Sequence, residues 1–168
     1  VKTQPTHTEV IDLLIERCRV HKDADTYIAG TYGEHDDNGN FRGCAIGCAV
    51  HDLREAGILD DIGGCGHAEL SESTGIPERI LQLEDVIFEG LPPDSRIEWP
   101  GRFMLASRGR DLSMAWPRFA HWLLAGDDSP NRSGREHDLV SIAIEGVASL
   151  YAEWVETGSE PALARSES

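Results

Sequence analysis

Between residues 43 and 91 the glycines and prolines are spaced so that the chain has room only for helices of two to four turns. Gly57 stops a helical pattern that begins near Cys44, and Gly75 ends a short one running from His67 to Thr74. Pro77 opens a third at a favoured first-turn position, and Gly90 closes it after Glu89. A chain cut into such pieces can bury its apolar faces only by packing several short helices around a shared core.

The flanking segments follow the same rule. From Thr8 to Val20, at about 100° per residue, Val10, Ile11, Leu14, Ile15 and Cys18 share one face, so Cys18 reads as an ordinary buried thiol. Trp99-Pro100-Gly101-Arg102-Phe103 and Trp116-Pro117-Arg118-Phe119 read as two Pro-started helices with an Arg in the first turn. Glu136 to Glu156 reads as the longest helix. Tyr27 to Phe41 is the exception, with strand composition followed by the turn signal Asn38-Gly39. Glu34, Asp36, Asn38 and Asn40 alternate there as in a calcium loop, but the closing acid is missing, and a turn fits better. The expected fold is mainly α, a compact single-domain bundle of about six to seven helices with at most a short β-hairpin near residues 27–42. The domain spans 1–157, and 158–168 is a loosely held polar tail.

Charge limits the partners. Thirty acidic residues against fifteen basic ones give a formal net charge of −15, which disfavours direct binding to nucleic acid or to anionic membrane surfaces. It suits plain solubility, or an acidic surface that engages a basic protein partner by mimicking nucleic acid. The acids cluster from Glu69 to Glu98, whereas Arg102, Arg108, Arg110, Arg118, Arg132 and Arg135 dominate the next stretch. Arg102 and Arg118 are the candidates for holding a small anionic ligand. No stretch has the length of a membrane span or the order of a signal peptide, and four cysteines in a chain of this length fit reduced thiols in the cytoplasm. Arg makes up thirteen of the fifteen basic residues, which suggests a GC-rich bacterial or phage genome.

Two features carry chemistry. On a helical wheel starting at Cys44, Cys48, His51 and Glu55 fall within about 40° of it, opposite the aliphatic Ala45, Ile46, Ala49, Val50 and Leu53. Cys44, Cys48 and His51, with His67 and Cys65 beyond the following glycines, form a candidate metal set for which zinc is the natural ion. The stripe also fits two other readings. One is core packing; the other is a reactive Cys44 at a helix N-terminus with His67, His121 or His137 as its base. The second feature is Glu84, which falls inside the apolar arc of its helix among Ile80, Leu83, Ile87 and Phe88. A carboxylate there needs a salt bridge, for instance to Arg102 or Arg118, or else a ligand or acid–base role. Cys44, His67 and Glu84 are thus the catalytic candidates. His7, His21 and His35 read as surface residues.

The order Tyr27-x-x-Gly30-x-Tyr32, Gly43-Cys44-Ala45-Ile46-Gly47-Cys48, Leu83-Glu84-Asp85-Val86-Ile87-Phe88-Glu89-Gly90-Leu91 and Trp116-Pro117-Arg118-Phe119 resembles a pattern in a group of small bacterial and phage proteins of uncharacterised function. The resemblance covers residues 27–124 and implies no activity. The function expected from the residues is a small metalloprotein or enzyme with a Cys/His/Glu site and an Arg-lined anion pocket; the alternative is a non-catalytic acidic interaction protein.

Overall fold

The capping chemistry of the first helix sets its start. Thr6 accepts from the Glu9 amide, Glu9 returns a bond to the Thr6 amide, and α1 runs His7–Asp23 behind this box. A computed structural model describes residues 4–60, 66–130 and 139–161. Among these residues lie eight helices and one two-stranded hairpin, which is the mainly α fold expected. No helix among them is long and apolar enough to cross a membrane. Contacts divide the chain into two units, Val1–Leu112 and Ser113–Ser168.

In the first unit α1 is followed by β1 (Gly33–His35), β2 (Phe41–Gly43), α2 (Ala45–Glu55), α3 (Gly66–Thr74), α4 (Glu78–Gly90), α5 (Pro93–Arg96) and α6 (Trp99–Ser107). The strands pair antiparallel with Gly33 opposite Gly43 and His35 opposite Phe41. Their turn is closed by Asp36, whose carboxylate accepts from the amides of Asn38 and Asn40 at 2.9 Å each, with Gly39 at φ 83°. That carboxylate therefore serves the turn. The Tyr27–Tyr32 stretch does not form the strand its composition suggests. Gly30 sits at φ 81° and breaks the extended run, leaving Tyr27 in a single parallel bridge to Gly43.

The core gathers α1, α2, α3, α4 and Met104 of α6. Leu53, Leu70, Leu81 and Phe88 have no exposure. Helix α2 is central: every residue from Ala45 to Val50 is buried, as are Asp52 and Leu53. The expected division into an aliphatic face and a polar stripe therefore holds only in its last turn, where Glu55 is exposed.

The second unit pairs α7 (Ala115–Ala125) with α8 (Leu139–Thr157). Val140, Ile142 and Val147 of α8 are exposed. Leu124, Val140, Ala143, Ile144 and Val147 line a shallow apolar groove.

Candidate metal centre

The site is built on the cysteine of the Gly43-Cys44-Ala45-Ile46-Gly47 motif. Cys44 is the N-cap of α2, in extended conformation, and its Sγ accepts from the Gly47 amide at 3.4 Å. The glycines of the motif have a steric reason. A Cβ on Gly47 would stand 1.6 Å from the Tyr32 carbonyl oxygen, and one on Gly43 would stand 2.4 Å from the same atom. The loop bearing Tyr32 can cross the start of α2 only because both side chains are missing, and the Cys44 amide donates to Thr31 of that loop.

Helix α4 faces this N-terminus. Asp85 and Glu89 lie one turn apart and so project on the same side. The Cys44 Sγ and one carboxylate oxygen from each of Asp85 and Glu89 lie within 4.8 Å of one another. Glu89 is anchored by the Gly30 amide, which donates to its Oε2 at 2.8 Å. His67, in the first turn of α3, brings Nε2 to 3.3 Å from Asp85 Oδ2. His67 Nε2 and Asp85 Oδ1 are both buried without a hydrogen-bond partner among the described residues.

Three negative or potentially negative groups meet here. Burial, and then the Asp85 charge, push the Cys44 thiol up to about 12 despite the amide bond from Gly47. The partial positive charge of the helix start does not win, because desolvation of a thiolate in this core outweighs one N–H donor. Without a cation, Cys44 is therefore a neutral thiol at physiological pH.

Glu84 points the other way, into the core, at 2% exposure. Among the described residues neither oxygen has a hydrogen-bond partner, from Arg102 or any other side chain. Burial, reinforced by Asp85, pushes its carboxyl up to about 8, partly offset by the Trp99 indole N–H. With no bond from Arg102, the raised value favours the neutral carboxyl at physiological pH.

The other candidate residues are dispersed. The Cys48 Sγ donates to the Gly43 carbonyl at 3.6 Å, and burial pushes its thiol far up. His51 stacks on Phe41 with ring centroids 4.1 Å apart and faces the hairpin. Cys48 and His51 are thus absent from the converging group, whose members are Cys44, Asp85 and Glu89. Arg102 lines a small groove between α1 and α6 with Ile15, Cys18 and Leu105, and Arg118 is an exposed residue of α7 in the second unit. Cys65 and His137 lie outside the described residues.

Asp85 and Glu89 fall outside the apolar arc of their helix, on the side that helical periodicity assigns to water. Their spacing of four was the available signal, but nothing local to α4 tells that the start of α2 packs against that side. His21, expected on the surface, is instead buried and bonded to Asp52 at 2.9 Å. Compared with models of known protein families, with curated proteins and with solved structures, the chain gives no match.

Proposed function

We propose that this chain is a divalent-metal protein whose ion, zinc first among candidates, is held by Cys44, Asp85 and Glu89 with His67 beside them. The observation that supports it is the convergence of a thiol and two carboxylates within 4.8 Å, next to a buried imidazole nitrogen and carboxylate oxygen that make no hydrogen bond among the described residues. Such a group is costly by itself, because the carboxylates hold like charge against a buried sulfur. A divalent cation removes that cost. It draws the ligands to about 2.0–2.3 Å, converts the thiol to thiolate and satisfies the orphaned atoms.

The donor set favours a borderline ion. A thiolate selects zinc or iron over magnesium and calcium, which prefer oxygen alone. Cys44 is buried whereas Glu89 is exposed, so one side of the ion faces solvent and has room for water or a small anionic ligand. Such a position is the arrangement of a hydrolytic centre, where the ion acidifies bound water.

Elemental mass spectrometry after equilibration with zinc and exhaustive dialysis tests the reading. One equivalent of metal is expected in the native protein and none in an Asp85→Asn/Glu89→Gln variant. A folded native protein that retains no zinc, iron, cobalt or manganese would refute it.

A further inference from the structure

A cleft of about 770 Å³ opens between the end of α1, the hairpin and the second half of α2. It shares no residue with Cys44, Asp85, Glu89 and His67. On its wall stands a continuous hydrogen-bonded chain. Thr26 Oγ1 lies 2.7 Å from His21 Nδ1, and His21 Nε2 lies 2.9 Å from Asp52 Oδ2. Asp52 and His21 are 6% and 9% exposed, and the Arg17 guanidinium lies 3.9 Å from the second Asp52 oxygen.

Local backbone chemistry builds the chain. After α1, Asp25 takes φ 52°, a left-handed turn that curls the chain back so that the Thr26 amide donates to the His21 carbonyl at 3.1 Å. The Thr26 hydroxyl is thereby set beside the imidazole five residues earlier. Asp52 accepts only, so the Nε2 proton faces it and the Nδ1 lone pair faces Thr26. The hydroxyl also donates toward the His21 carbonyl oxygen at 3.3 Å, so its one proton is shared between that oxygen and the nearer Nδ1. A hydroxyl on a base that is itself oriented by a buried carboxylate is the general arrangement of an activated nucleophile. Arg42 completes the surroundings, since its guanidinium reaches the Asp25 carbonyl, one residue from Thr26.

We propose that Thr26, His21 and Asp52 form an acyl-transfer site for small esters, opening on this cleft. Thr26 Oγ1 attacks the ester carbonyl carbon and its proton passes to His21 Nδ1. The bond to the leaving alkoxide breaks, and the alkoxide takes that proton away as alcohol. Water then gives its proton to Nδ1 as its oxygen adds to the acyl carbon. Thr26 Oγ1 leaves and recovers the proton, releasing the carboxylic acid. Asp52 is a positioning residue that stabilises the imidazolium formed in each half-reaction, and the Arg42 guanidinium balances charge developing on the carbonyl oxygen.

The test treats the full chain with p-nitrophenyl acetate, following nitrophenolate release and mapping acetylated peptides by mass spectrometry. The expected result is a burst with acetyl on Thr26, abolished in Thr26→Val and restored in Thr26→Ser. In His21→Ala the burst is lost and added imidazole returns it. In Asp52→Asn kcat falls by about 100-fold or more at unchanged KM. If native Thr26 stays unmodified, if Thr26→Val gives the native burst, or if His21→Ala reacts at the native rate, the chain is only a helix-end cap and the proposal is overturned.

Discussion

Replacing Glu84 by Gln should stabilise the protein at neutral pH and remove a steep pH dependence. The carboxyl is 2% exposed, its oxygens lack partners, and its pKa rises from an ordinary 4.5 to about 8. The folded state therefore binds the proton more tightly than the unfolded chain. Stability from that proton is complete below about pH 4.5 and is lost as pH rises through about 8. The two values differ by about 3.5 pH units, which at about 1.4 kcal/mol per unit is roughly 5 kcal/mol over the window. At pH 7 the native protein has lost roughly 3 kcal/mol of this. Gln has the same shape and no charge, but its amide has its own desolvation cost of about 1–3 kcal/mol. The expected net gain at pH 7 is up to about 2 kcal/mol, and it disappears by about pH 5, where the ionisation penalty has fallen below about 1 kcal/mol. Urea unfolding from pH 4.5 to 8.5, followed by circular dichroism, measures the difference between the two proteins. Asp85 is present in both proteins, so its contribution largely cancels. Parallel stability curves across the window would refute the reasoning, because they would mean that Glu84 ionises in the fold without penalty.

Cys44→Ser should separate folding from metal binding. The serine oxygen keeps the N-cap bond to Gly47, so stability changes by no more than about 1 kcal/mol, while zinc affinity by competition titration falls by about 100-fold or more. Gly47→Ala should prevent folding, as a Cβ 1.6 Å from the Tyr32 carbonyl has nowhere to go; Gly57→Ala, at φ 68° in open space, should cost only about 1 kcal/mol by urea unfolding. Leu53→Ala, at a site with no exposure, should cost about 2–5 kcal/mol in the same assay.

The sequence by itself determined most of the helices, the ends set by glycine and proline, and the oddity of Glu84, while the short α5 was not legible in it. Gly57, Gly75, Pro77 and Gly90 mark boundaries the structure respects within a residue or two, because a missing Cβ or a missing N–H acts through the backbone next to it. The Asn38-Gly39 turn was legible for the same reason. Glu84 stood out because helical periodicity is local, and it assigns a side chain to a face before any partner is known. Cys44 and His67 were also legible as chemistry-bearing residues beside glycine breaks.

Only the tertiary structure decided what those faces meet. Periodicity put Asp85 and Glu89 in water, yet the start of α2 packs on that side and turns them toward Cys44. It put Cys48 and His51 on a stripe with Cys44, yet α2 is buried nearly all round, so its residues are drawn to different neighbours, Cys48 to the Gly43 carbonyl and His51 to Phe41. His21 and Asp52 are 31 residues apart and become a buried pair through the docking of α1 against α2. Contacts across such separations depend on how whole helices pack, and no pattern along a single helix encodes its partner.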